Sequence, residues 1–388
     1  MLAIDTQTNM HTDMQKNNYH TKIHKLNKHA LQSEVSLSVL HLAAEQLKAG
    51  QVVAFPTETV YGLGANAYDS NAIRKIFRAK GRPSDNPLIV HVHSLEQAIE
   101  LIDIKRFNNQ LRQRLQLLAE KFWPGPLTCI VPAAKGIAEN VTAGLDTVGI
   151  RIPNHPIALA LLEAVDLPIA APSANLSGKP SPTAAEHVYN DLNGKIPLIL
   201  DGGNTGVGVE STVLDIASEI PMILRPGGIS IEALQDVLGR VMVDPANFSS
   251  SNSMVDLGMN PSTTPKSPGM KYTHYAPKGQ VVVYLQSSAH KVVEIIKSLP
   301  NEASVGLICT SSSYEPELKN KLEILDRKID FLITHDGNIE KVANNLYRWL
   351  RAVDQQNIEY IFIEALEEQG LGSAVMNRLL KAAGGKII

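Results

Sequence analysis

Between positions 37 and 48 apolar residues recur at helical spacing, Leu37, Leu40, Ala44 and Leu47, and Gly50 stands where such a helix would end. The period then shortens. An apolar run at 52–55 closes on Pro56 and reads as a strand, 70–78 as a helix and 88–93 as a β-rich run. Further apolar strands are predicted over 127–131, 147–152, 168–171, 197–200, 211–216 and 222–224. A helix over 156–165 has Pro156 placed for its first turn. Several of these strands run into loops rich in Gly, Pro, Ser, Thr and Asn. This alternation predicts one large α/β domain with functional loops at strand ends.

Periodicity fails over 244–277, where Ser/Asn residues at 250–253 precede Pro261, Pro265, Pro268 and Pro277. The segment reads as a linker or lid. After it, β-like runs at 280–285, 305–309 and 360–363 alternate with helical patterns near 289–298, 338–353 and 373–382, the order a small open parallel sheet requires. The predicted division is a disordered extension over 1–35, a catalytic α/β domain over 36–243, the linker over 244–277 and a smaller Rossmann-like α/β domain over 278–388. The extension is polar, with His11, His20, His24 and His29 among lysines. It reads as a mobile solvated tail, although its histidines could bind a metal adventitiously.

Composition narrows the function classes. A hydrophobic content of 44% with 19% charged residues suits a globular chain with sizeable cores. A net charge of −3 argues against binding to nucleic acid or a membrane surface through bulk electrostatics. Cys129 and Cys309 sit far apart in apolar runs and form neither a disulfide framework nor a zinc site, as expected of a cytoplasmic protein. No stretch approaches the ~20 apolar residues of a membrane span.

Four segments carry candidate chemistry. The sequence PTETVYGLG at 56–64 reads as a hydroxyl-rich turn after a strand, either a ligand site or a well-capped strand-to-helix turn. Lys80-Gly81-Arg82 leaves the predicted helix carrying Arg74, Lys75 and Arg78 for a Gly/Pro-shaped loop, which fixes two cations beside a strand end, suitable for a triphosphate. It is not a P-loop, since no G-x-x-x-x-G-K-[ST] occurs. Ser173, Asn175 and Ser177, with the PSPT run at 180–183, offer small polar ligands for phosphate and ribose, or a plain turn. Glycines from Gly202 to Gly208 precede GVEST at 208–212, and Arg225 ends an apolar run where a partner or ligand is expected.

Together these segments resemble the threonylcarbamoyl-adenylate synthase family, the YrdC-like fold in its long, two-domain form. NPLIVH at 86–91, WPGPLT at 123–128, AGLDTVGIRIPNHP at 143–156, APSANLSG at 171–178 and LRPG at 224–227 carry the likeness through the first domain. SPGMKYTHYAP at 267–277 and AVMNRLLKAA at 374–383 extend it to the C-terminus. The resemblance implies an open concave cleft in which L-threonine, bicarbonate or CO2, and ATP with Mg²⁺ give threonylcarbamoyl-AMP and pyrophosphate. The product would pass to a tRNA threonylcarbamoyl transferase. It implies catalytic roles for Lys80, Arg82, Ser173 and Asn175. Threonine would be held by Thr59, His91, Arg151, Ser173 and Ser211. ATP would be held by Arg82, Asn86, Thr128, Asn175, Thr183 and Arg225, with Tyr272 closing over it. His91 is a possible general base or a structural histidine. The rival reading is an RNA-binding module using the basic face around Arg74 to Arg82, and even the enzyme could bind RNA weakly there. Its weakness is the acidic total charge and the lack of interleaved aromatics.

Overall fold

The computed structural model describes residues 19–245, 275–325 and 327–388, without the side chains of residues 316 and 317. The first domain is built on an 11-stranded mixed sheet. Its strands are β1 Lys22–Lys25, β2 Val53–Phe55, β3 Gly62–Asn66, β4 Ile89–His91, β5 Leu127–Pro132, β6 Thr147–Arg151, β7 Ile169–Ala170, β8 Leu198–Asp201, β9 Thr212–Asp215, β10 Met222–Arg225 and β11 Met242–Val243. They lie in the order β1-β8-β2-β3-β7-β4-β6-β5-β9-β10-β11. Side chains alternate across a strand, so one strand serves two cores. Ala54 of β2 and Ile199 of β8 join the larger core. Their neighbours Val53, Phe55, Leu198 and Leu200 join a second core with the helices Glu34–Lys48 and Pro156–Val165. Continuous apolar runs are what burial on both faces demands.

Two expectations are corrected. Order does not begin at residue 36. β1 pairs in parallel with β8, Lys22 opposite Leu198 through Lys25 opposite Asp201, and Leu26 is buried in the second core. A strand with one apolar residue, Ile23, gives no periodic signal, and it forms because it covers the unpaired edge of β8. Residues 1–18, with His11, lie outside the described residues. Second, the PTETVYGLG run is not a strand-to-helix turn. After Thr57 to Tyr61 the chain doubles back as β3, antiparallel to β2 with Val53 opposite Gly64. A Cβ on Gly64 would stand 2.8 Å from the Phe55 ring and 2.7 Å from Ile169 Cγ2, so glycine permits that pairing.

The C-terminal domain has four parallel strands, β12 Gln280–Tyr284, β13 Val305–Thr310, β14 Phe331–His335 and β15 Tyr360–Glu364, in the order β12-β15-β13-β14. The helices Ile339–Gln355 and Leu371–Ala382 pack on one face. That core also contains Val60 and Val209 of the first domain, so the two domains share apolar contacts beside the site. No helix among the described residues is long and apolar enough to cross a membrane.

Candidate active site

Strand ends and the turns after them converge on one cleft of about 650 Å³, counting space open to solvent. It is lined by Thr59, Arg82, His91, Arg151, Ser173, Asn175, Ser211 and Arg225 among the expected residues, and by Glu210, Ser181 and Tyr275 beside them. β2 delivers Thr57 to Val60, β4 ends on His91, β6 ends on Arg151, β7 leads to Ser173, and β10 ends on Arg225. Lys80, Asn86, Thr128 and Thr183 are buried without lining the cleft. Tyr272 lies outside the described residues, as do positions 246–274 of the linker.

Lys80 ends the helix Ser70–Lys80, which Gly81 terminates with a left-handed φ of 61°. The ammonium points inward, not into the cleft. Nζ donates to the carbonyls of Ser173 (2.6 Å) and Asn175 (2.5 Å) and to Asn175 Oδ1 (3.3 Å). Burial, and then the charge of Arg82, depress its pKa well below the ordinary lysine value. Asn175 Nδ2 donates to the carbonyls of Leu176 and Lys179, and Ser173 Oγ donates to Asn175 Oδ1 at 2.6 Å. The Ser173 to Lys179 turn is therefore wrapped around two buried side chains. Arg82 stays at the cleft, its Nη2 donating to the Pro87 carbonyl at 3.1 Å. Neither Nδ2 nor Oδ1 of Asn86 has a hydrogen-bond partner among the described residues.

On the β4–β6 side, Arg151 donates from Nη1 to Thr59 Oγ1 (3.0 Å) and from Nε to the Gly125 carbonyl (3.2 Å). Its Nη2 lies 2.7 Å from Glu58 Oε1, an ion pair without hydrogen-bond alignment. His91 is buried next to it. Burial, and then the Arg151 charge, hold its pKa at about 3, so the ring is neutral near pH 7, and Nδ1 has no hydrogen-bond partner among the described residues.

On the opposite side, Thr128 Oγ1 and Ser211 Oγ share a hydrogen bond of 2.8 Å, and Arg225 Nη2 donates to the Ser211 carbonyl (2.9 Å) and to Ser211 Oγ (3.2 Å). Thr183 is turned towards His187, whose Nδ1 accepts from the Thr183 backbone N–H. Glu210 accepts from Ser181 Oγ at 2.6 Å. Burial alone would raise its pKa, but Arg378 and Arg225, with the Ser181 and Arg378 hydrogen bonds, outweigh burial and hold it at about 2. Tyr275 stacks on Tyr347 of the second domain, ring centroids 5.4 Å apart. Sequence reasoning singled out neither Glu210 nor Tyr275. The acidic residue within GVEST and the second tyrosine of YTHYAP were the available signals.

The lining combines cations on two sides, small hydroxyls between them and a neutral imidazole, a set suited to a polyanion next to a small zwitterion. Comparisons with known proteins agree. A family model described as "Telomere recombination" matches residues 45–227, and one described as "Threonylcarbamoyl-AMP synthase, C-terminal domain" matches residues 229–384. The chain is 44% identical to a threonylcarbamoyl-AMP synthase of Pyrococcus abyssi over 90% of its own length and 95% of that protein's. It is 45% identical to that of Bacillus subtilis, over 89% and 93%. The crystal structure of P. abyssi Sua5 complexed with L-threonine superposes with a TM-score of 0.82 at 42% identity, over 95% of this chain and 99% of that one.

Proposed function

The chain belongs to the threonylcarbamoyl-AMP synthase family, which are nucleotidyltransferases using ATP, and from that premise we propose how its cleft divides the work. Threonine sits on the β4–β6 side. Arg151 uses two of its five N–H donors on Gly125 and Thr59 and sets Nη2 against Glu58 without a hydrogen bond, leaving three donors for a carboxylate. Thr59, Ser173 and Ser211 offer hydroxyls to the substrate, and neutral His91 holds it without carrying the proton. A group kept at about pKa 3 is too weak a base for an ammonium ion. The P. abyssi relative crystallised with L-threonine supports this half.

ATP occupies the other half. Arg82 and Arg225 neutralise its phosphates, and Asn86, buried behind the cleft wall, supports Arg82, whose Nη2 donates to the Asn86 carbonyl at 3.3 Å. Lys80 and Thr128 act from behind, shaping the turn and the Ser211 hydroxyl, Asn175 holds that turn at the cleft wall, and Thr183 contributes from the PSPT run and Tyr272 from the linker. Among the described residues no group of three or more His, Cys, Asp or Glu is placed to hold a metal, and Glu210 is held by Arg378 and Ser181. Mg²⁺ enters bound to the triphosphate, as part of the substrate.

The threonine amine adds to CO2 derived from bicarbonate and loses a proton, giving a carbamate. A carbamate oxygen attacks the α-phosphorus, and the bond to the β,γ-phosphate breaks, releasing pyrophosphate. Such a step needs positioning and charge neutralisation more than a covalent nucleophile. The product is a mixed anhydride, and we assign its acceptor as a tRNA threonylcarbamoyl transferase. Two unpaired buried cysteines suit the cytoplasm, where we place the reaction. The observation carrying this reading is the meeting of Arg82, Arg151 and Arg225 around Ser173 and Ser211 in one cleft. Purified protein given threonine, bicarbonate, ATP and Mg²⁺ should release pyrophosphate, and release should stop when threonine is omitted. No release from the complete mixture would refute it.

A further inference from the structure

Glu210 is a cleft residue whose carboxylate is held largely from the other domain. Arg378 Nε donates to its Oε2 at 2.9 Å, and Tyr347 Oη lies 3.0 Å from Oε1 and 2.9 Å from Oε2. Arg378 also donates from Nη1 to the Pro226 carbonyl at 2.8 Å and is completely buried. Glu210 is bonded in the chain to Ser211, and Pro226 follows Arg225. Ser211 and Arg225 both line the cleft and are hydrogen-bonded to each other. One guanidinium fork thus fixes the two loops carrying Ser211 and Arg225. The helix of Tyr347 reaches the same wall elsewhere. Asn344 donates to the carbonyls of Thr205 and Gly206, and Arg351 to the Pro180 carbonyl and, at 2.8 Å, to Asp191.

From this geometry we infer that Arg378 of the C-terminal domain is a positioning residue for the cleft wall that carries Arg225 and Ser211, acting through Glu210 and Pro226, with Arg225 and hence the nucleotide the main recipient. An interface that only joined two domains would need no buried ion pair, since apolar residues of similar volume do that as well or better. Here the pair is aimed at the residues beside two cleft contacts, and on the β4–β6 side none of the hydrogen bonds of Arg151 comes from the C-terminal domain. The consequence is graded. Loss of the fork moves Arg225, a nucleotide contact, and shifts only one of several threonine contacts, Ser211, so ATP is weakened more than threonine. The inference rests on the assignment of Arg225 to nucleotide and Ser211 to threonine made above.

The test uses the full chain, with Arg378→Lys, Arg378→Met and Tyr347→Phe. Arg378→Lys keeps a charge for Glu210 but cannot form both bonds of the fork, so the KM for ATP should rise about tenfold. In Arg378→Met the loops shift further, and kcat should fall about a hundredfold. The Kd for threonine, measured by calorimetry without nucleotide, should rise about twofold at most in every variant, because the fork reaches Ser211 but not Arg151 or Thr59. Tyr347→Phe removes one donor from Glu210 and should raise the ATP KM less than Arg378→Lys does. If Arg378→Met fails to fold, the lysine variant still decides. Arg378→Lys with wild-type ATP KM would overturn the inference, and so would a threonine Kd rising as much as the ATP KM. A wild-type protein that releases no pyrophosphate would instead sink the functional reading itself.

Discussion

Lys80 and Arg82 stand two positions apart in a basic loop, yet burial gives them different tasks. The three ammonium hydrogens of Lys80 meet three oxygens of Ser173 and Asn175, so none is left for a phosphate. Lys80→Met should therefore damage the unliganded protein. Stranding those acceptors should cost about 2 kcal/mol of unfolding free energy in a urea titration, and the displaced Ser173 turn about a hundredfold in turnover. A lysine reserved for phosphate would lose turnover with no loss of stability, and that result would refute the positioning role. Arg82 reverses the balance. At the cleft, Arg82→Ala should cost on the order of 3 kcal/mol in transition-state stabilisation while unfolding shifts less than in Lys80→Met. Equal losses of stability in both variants would contradict the distinction.

At the scale of elements, the decisive contact between domains is made by backbone. Gly208 has φ +83°, and a Cβ there would lie 2.3 Å from the Ala343 carbonyl oxygen and 2.4 Å from Asn344 Cα. The loop before Glu210 is thus pressed on the helix Ile339–Gln355 in a conformation that only glycine adopts without cost. Gly208→Ala should lower the unfolding free energy by about 3 kcal/mol, combining left-handed strain with overpacking, and wild-type stability in that variant would show that the domains do not meet so closely in solution. Such contacts mark where the sequence stopped being legible. The helix Pro156–Val165 and the strands β5 and β12 could be read because their periodicity is local and their apolar residues are continuous. β1 and β3 could not, since one has a single apolar residue and the other two glycines, and each exists through its neighbour. Much of the cleft could be read from the order of its motifs. Glu210 and Tyr275 could not, because what fixes them is Arg378 and Tyr347, a helix and a domain away in sequence.

For the molecule as a whole, the buried histidines set how it meets acid. His91 on β4 is held at about 3, by burial and then the Arg151 charge. His155, which caps the helix Pro156–Val165, is held at about 4 by burial against the opposing pull of Glu58. His187, in the helix Ala185–Leu192, is held at about 4 by burial and then the charges of Arg351 and Arg348. Each is depressed below the 6.5 of a free imidazole, so between pH 6.5 and 4 the unfolded chain binds protons that the folded chain refuses. Stability must then fall as pH falls, by up to about 1.4 kcal/mol per pH unit for each histidine. Glu210 adds to this below its ordinary 4.5, because the folded protein keeps the carboxylate ionised down to about 2 while the unfolded chain protonates it. The histidines lie on separate elements and their contributions should add. Urea titrations at steps from pH 7.5 to 4.5 should show a loss of stability that steepens below 6.5. His187→Gln, which removes one of these protons, should flatten that slope if the histidines act independently. A profile flat from pH 7.5 to 4.5, or a slope unaltered by His187→Gln, would mean that these imidazoles are already protonated, or hydrated, in the folded protein.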